Sequence, residues 1–289
     1  MYKTLSPGAV GVKFNDLPSA LAGAKKHGFG GLEVGASQIA DLVDQHGADG
    51  AKRLFADAGV RPAAMGLPVD WRGAEDTWRA DLEKLPRQAK AAQALGVTRT
   101  ATWVLPGSND RGWDAHWDFM TERFRPIAKI LADHGISIGL EFIGPKTLRD
   151  TFKYPFVHSM LAMVSLGRDI GPNVGLLLDC WHWYTAHNTV ADLKRLKARE
   201  VVYVHVNDAP AGIETDKQVD NTRALPDETG VIDIAGFLGA LKAIGYDGPV
   251  TPEPFKKELK ELPSDDERLK VVGQSMDTIF KKAGLPTGR

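Results

Sequence analysis

An α/β fold closed into a (β/α)8 barrel, the TIM-barrel class, as a single domain over residues 1–289, is what the sequence predicts, and three observations predict it. Short apolar, β-rich runs alternate with longer amphipathic ones along the chain, the pattern of βα units and a parallel sheet. Eight such short runs occur. A glycine stop followed within a few residues by a strand recurs in "HGFGGLEV", "AGVRPAA", "LGVTRTA", "HGISIGL" and "IGYDGPVTP". These short connections leave the longer loops, and the chemistry, at the other end of the barrel.

Taken in order, strands are expected at "GAVGVK" (8–13), "GLEVGA" (31–36), "RPAAMGL" (61–67), "TRTATWVL" (98–105), "SIGLEFIG" (137–144), "VGLLLDCW" (174–181), "VVYVHVND" (201–208) and "PVTPEPF" (249–255). Helices are expected between them, as in "LPSALAGAKKHGF", "TWRADLEKLPRQAKAAQALG", "FRPIAKILADHG" and "IAGFLGALKAIGYDG". Apolar residues recur in them near helical spacing and glycine closes them. No Ser-rich or charged linker divides the chain. The one long polar connection is "APAGIETDKQVDNTRALPDETG" (209–230), after the seventh strand; loops of that length are usually functional.

Composition narrows the function. Lys and Arg number 36 against 37 acids, a formal net charge of -1, which argues against nucleic acid as the main partner. The single Cys180 forms no internal disulfide, and "MYKTLSPGAVGVKF" lacks the apolar core of a signal peptide, so a cytoplasmic enzyme is expected. No apolar run approaches the ~20 residues of a membrane span.

A charge inside a parallel barrel strand is costly unless it is paired or bound. Yet Glu33, Glu141, Asp179, His205 and Glu253 all fall late in expected strands, and Asp208 ends the seventh. Glu141, Asp179, His205 and Glu253 lie on four consecutive strands, each after apolar residues and before a turn. Three carboxylates and one imidazole converging in this way make an oxygen-rich site for one divalent ion, Mn²⁺ first, with Mg²⁺ or Co²⁺ as alternatives. Asp179 is then tolerated at the end of a leucine strand because a dication neutralises it. Taken singly, each carboxylate reads as a salt-bridge partner or helix cap, and His205 as a core histidine; the shared barrel depth is what argues otherwise. Glu33 and Asp208 are expected at the substrate mouth. His182, three residues past Asp179, is expected to touch substrate, and Trp103 to offer a platform for a sugar's apolar face. Trp181, Trp183 and Cys180 read as packing residues.

Together "GLEFIGP", "LLLDCWHWY", "VYVHVND" with "RALPDETGVID", and "TPEPF" resemble the xylose-isomerase-like TIM-barrel superfamily, in its sugar isomerase and epimerase branch. That branch includes D-tagatose and D-psicose 3-epimerases, hydroxypyruvate isomerase and inosose dehydratase. The resemblance covers most of the chain and is most specific in its second half. It implies that Glu141, Asp179, His205 and Glu253 are the metal ligands, that Glu141 and Glu253 double as an acid/base pair, and that His182 binds substrate. One departure stands out. Ketose 3-epimerases carry an arginine six residues after the metal-binding histidine, where this chain has Ala211; the nearest substitutes are Arg223 and, on another loop, Lys146 or Arg149. Arg223 before "LPDETGVID" looks more like the inosose dehydratase side.

The expected activity is isomerisation or epimerisation of a sugar, cyclitol or keto-sugar: a proton is removed beside a carbonyl, an enediolate forms on the metal, and Glu141 and Glu253 serve as the pair that removes and returns the proton. Expulsion of a neighbouring oxygen from the same enediolate makes a lyase or dehydratase, the alternative. A phosphodiesterase of the AP-endonuclease kind is a remote one, since it needs more histidines for a multi-zinc cluster and a basic groove. Homo-oligomers are open to such a barrel, but no sequence feature names a face.

Overall fold

Eight parallel strands close on themselves in sequence order. In the computed structural model they are β1 (Tyr2–Leu5), β2 (Gly31–Glu33), β3 (Arg61–Gly66), β4 (Arg99–Val104), β5 (Ser137–Phe142), β6 (Val174–Asp179), β7 (Val201–Val206) and β8 (Pro249–Pro252). The structure describes residues 1–287, so the last two positions of the expected 1–289 unit lie outside the described residues. The main surrounding helices are α1 (Leu17–Lys26), α2 (Ala36–Ala58), α3 (Glu75–Leu95), α4 (Trp113–Ala132), α5 (Met160–Ile170), α6 (Cys180–Thr185), α7 (Ile234–Ala243) and α8 (Asp265–Lys282). Among the described residues no helix is long and apolar enough to cross a membrane.

One strand is not where the sequence suggests. β1 begins at Tyr2, whereas the expected "GAVGVK" forms a 3-10 turn, Gly8–Val10, closed by Gly11 at φ 70. Val10 and Val12 are buried in the outer core and so mimic a strand's apolar alternation. The true strand, "YKTL", hides its role because Lys3 is polar; its ammonium is nonetheless buried and paired with Asp277 of α8.

Apolar residues divide into two bodies. The large one fills the layer between barrel and helices, with Phe124, Phe142, Phe237 and Phe280 fully buried. A small one, Ala64, Leu177 and Tyr203 with Ala101 against it, lies on β3, β6, β7 and β4 and fills the barrel interior. Side chains alternate along a strand, so the residues two places on from this layer also face inward, one level nearer the mouth. Those residues are Trp103, Asp179 and His205. A register shift completes the placement. Leu176 pairs with Val201, but after a one-residue slip Leu177 pairs with Tyr203 and Asp179 with His205. Such a slip reverses which side chains face inward, so it turns both Tyr203 and His205 into the barrel.

A candidate metal centre at the barrel mouth

Asp179 is the last residue of β6 and the N-cap of α6, and its carboxylate accepts from Trp181 N at 2.6 Å. A leucine strand ending in a helix needs an acceptor there. The same carboxylate accepts from Asn207 Nδ2 at 3.1 and 3.2 Å and from Arg223 Nη1 at 2.7 Å, all three residues being buried. Around it stand Glu141 on β5, His205 on β7 and Glu253, which follows β8 and donates its backbone N–H to Val206 O at 3.0 Å. Each of the four residues offers one ligand atom, and all four atoms lie within 4.8 Å of one another. Opposite ligands around an ion with ~2.0–2.2 Å bonds are ~4.0–4.4 Å apart, so the widest pair needs to contract by no more than about 0.4–0.8 Å. Among the described residues this is the one group of three or more metal-ligating side chains so arranged.

The donors also fit an ion chemically. Glu141 Oε1 and His205 Nδ1 are buried without a hydrogen-bond partner, although they lie 3.7 Å apart and His205 Nδ1 lies 3.3 Å from Glu253 Oε2. Buried polar atoms left unmatched in this way are uncommon and call for an explanation. Burial, and after it the Glu253 charge, raises the Glu141 carboxyl well above the usual carboxylate range. Burial opposes a charged His205, but Glu253, Glu141 and Asp179 outweigh it and raise the imidazole to about 10. Burial works on Glu253 as well, but His205 and Arg223 overcome it and hold its pKa low.

Arg223 comes from the long loop after β7 and is buried at the centre of the group. Its Nη1 also reaches Glu253 Oε2 at 3.1 Å, and its Nη2 donates to Asp220 at 3.0 Å. The Phe255 ring lies 4.8 Å from its guanidinium carbon. Phe255 has φ 40, a conformation that costs a bulky residue ~1–3 kcal/mol and clusters at functional sites. His182, on α6, accepts from Gly144 N at its Nδ1 (3.1 Å) and faces Arg223 Nη2 with its Nε2 at 3.2 Å. Burial, with Arg223 adding to it, lowers its pKa to about 3, so the ring is neutral. Since Nδ1 is an acceptor, the ring proton sits on Nε2 and points at another donor.

The remaining expected residues divide. Trp103 stands at the mouth, 45% exposed, in register with Glu141. Glu33 lies one level lower and accepts from Tyr203 O–H at 3.1 Å, beneath His205. Asp208, expected to face substrate, turns into its own loop instead: its carboxylate accepts from the backbone N–H groups of Ala209, Thr229, Gly230 and Ile232 at 2.8–3.1 Å and is fully buried. It thereby anchors the loop that carries Arg223. Lys146 pairs with Asp150 one helical turn away, at the surface. Cys180 packs in the wall, its thiol donating to Asn207 O at 3.0 Å.

Sequence reasoning passed over Asn207, whose signal was a carboxamide between the inward His205 and the loop anchor Asp208. It also passed over Gly144. A Cβ there would lie 2.4 Å from His182 O, so only glycine lets this backbone approach α6 and donate to His182.

The chain can now be set beside known proteins. A profile of the family described as "Xylose isomerase-like TIM barrel" matches residues 21–282. The inosose isomerase of Bacillus velezensis is 24% identical over 276 residues, 93% of this chain and 93% of that protein. The 3-dehydroshikimate dehydratase of Pseudomonas aeruginosa is 25% identical over 251 residues, 86% of this chain but 37% of that longer protein. A solved structure, a xylose isomerase domain protein from Alicyclobacillus acidocaldarius, superposes with a TM-score of 0.83 at 28% identity, covering 98% of this chain and 99% of that one.

Proposed function

The chain belongs to the xylose isomerase-like TIM-barrel family, and from that premise we propose that it is a divalent-metal-dependent isomerase or epimerase of a small polyhydroxy ketone, a sugar or cyclitol. The observation that carries this reading is the mutual approach of Glu141, Asp179, His205 and Glu253 within 4.8 Å. Two of their buried atoms, Glu141 Oε1 and His205 Nδ1, have no partner in the protein. These residues would hold one ion, Mn²⁺ ahead of Mg²⁺ or Co²⁺. When bound, the ion supplies Lewis-acid polarisation of a carbonyl oxygen and offsets developing negative charge.

The protein's own groups do the rest. Glu141 and Glu253 are the carboxylates that remove and return a proton at the carbon beside the carbonyl, work that contributes about 10²- to 10⁴-fold. His182 donates from Nε2 and Arg223 from its guanidinium, and a substrate oxygen accepting from both relieves their donor-to-donor contact. Trp181 and Phe255 lay their rings against the Arg223 guanidinium and wall that side of the site.

A second reading, a lyase or dehydratase, is favoured by the likeness to a dehydratase. It uses the same proton removal, followed by loss of a neighbouring oxygen. One experiment tests both. Metal-loaded protein is incubated in D₂O with ketoses, inososes and 3-keto glycosides. Exchange with inversion or carbonyl migration supports the isomerase, and exchange with a new ultraviolet enone band supports the lyase. Glu141→Gln and Glu253→Gln should each abolish exchange. Exchange on no member of the panel, or full activity after EDTA stripping, rejects the assignment.

A further inference from the structure

The loop after β3 holds a second cation at the mouth. Trp71 is buried, donates from Nε1 to Thr102 Oγ1 at 3.3 Å and packs its ring on Phe124 at 5.0 Å, so its position is fixed by β4 and α4. The next residue, Arg72, lies between two indoles: its guanidinium carbon is 4.1 Å from the Trp71 ring centre and 3.6 Å from that of Trp103. One of its N–H groups donates to the Trp103 carbonyl. The adjacent Asp70 accepts from Gly73 N at 3.0 Å and closes its own turn, so it acts on Arg72 as a nearby charge without a direct bond to it. Among the described residues Arg72 forms no ion pair.

Trp103 lies in register with Glu141, one strand away, and shares the inward face of its level. The guanidinium therefore stands over the end of β4, at the same mouth of the barrel to which β5 brings Glu141, with most of its donors unassigned. Trp103 serves as its mount: one face of the indole is covered by Arg72, which alters the sugar-platform role expected from sequence. Arginine placed between aromatic rings loses little further entropy on binding, and its planar fork matches a carboxylate in bidentate fashion.

Resting on the enolising function above, we propose that Arg72 is a specificity residue that receives a carboxylate on the substrate, so the preferred substrate is a sugar acid or cyclitol acid and not a neutral ketose. The test is equilibrium binding, which needs no turnover. Calorimetry on metal-loaded protein compares quinate, a cyclic polyol acid, with the neutral cyclitol myo-inositol. The wild type should favour quinate by about tenfold or more, and Arg72→Gln should remove that preference while leaving inositol binding unchanged. Arg72→Lys, which keeps the charge but not the fork, should retain part of it. A preference equal in wild type and Arg72→Gln, or none in the wild type, overturns the assignment. If no panel ketose exchanges in D₂O, the enolising function falls, and the quinate-to-inositol ratio still decides Arg72.

Discussion

Replacing Asn207 with alanine isolates what orients the metal ligands from what merely fills space. Asn207 Nδ2 reaches both oxygens of Asp179, at 3.1 and 3.2 Å, in a fully buried setting. Hydrogen bonds to a charged group contribute ~1.5–3 kcal/mol. After the substitution Asp179 keeps Trp181 N at 2.6 Å and Arg223 Nη1 at 2.7 Å, so it is loosened but not released. Loss of such an outer partner typically costs a metal site about 10- to 100-fold in affinity, or ~1.4–2.8 kcal/mol. The effect on the fold is smaller than the burial suggests, because Asn207 Oδ1 has no partner and truncation removes an unmatched acceptor along with the donor. Titration calorimetry with Mn²⁺, set against the urea midpoint of chelator-treated protein, separates the two effects. If Mn²⁺ affinity stays within twofold of wild type while the midpoint falls, Asn207 is a packing residue and the orientation argument is wrong.

Two further outcomes are expected. Metal uptake should displace protons, since His205 is raised to about 10 and Glu141 is raised as well. Apparent affinity should therefore rise as pH climbs toward about 10, about tenfold per pH unit for each proton displaced, and calorimetry in buffers of different ionisation enthalpy should count at least one proton per ion near neutrality; no release refutes the charge assignment. Without an ion, the same raised value means that protonated His205 stabilises the fold fully below pH ~6.5, and that this contribution is lost as pH climbs through about 10, which urea midpoints across that window report. Gly144→Ala should cost ~1–3 kcal/mol by overpacking, because the new Cβ meets His182 O at 2.4 Å and Thr185 Oγ1 at 2.5 Å; an unchanged urea midpoint refutes that close approach.

Seven of the eight strands, the barrel closure and the four-residue cluster were legible because each rests on a strong local signal: apolar runs, glycine stops, and charges where dry residues belong. β1 was not, because its inward and outward residues include a buried lysine whose partner, Asp277, is at the far end of the chain. Such a pairing leaves no mark in the surrounding sequence. Asp208 misled for the converse reason. A carboxylate at a strand end reads alike whether it meets a ligand or four amides of its own loop, and only the path of residues 209–232 separates the two. Arg223 was within reach of sequence reasoning as the substitute for a missing arginine, but its contact with Asp179, Glu253 and His182 at once depends on how that loop folds back.

Charge explains why such a group can be buried at all. Three carboxylates, His205 and Arg223 share a space from which solvent is largely excluded, and uncompensated charge there is strongly destabilising. In the protein alone the balance is struck by protons: Glu141 favours its neutral form, His205 its charged form, and two remaining carboxylates face two cations. A dication held by Glu141, Asp179, His205 and Glu253 would take the place of those protons in offsetting the three carboxylates, beside Arg223. Asp220, 18% exposed against 17% for Glu253, adds a further negative charge 3.0 Å from Arg223. Among dications the imidazole then decides. A nitrogen donor favours Mn²⁺ and Co²⁺ over Mg²⁺, which prefers oxygen alone, so replacing His205 with a carboxamide should narrow the gap between Mn²⁺ and Mg²⁺ affinity while weakening both.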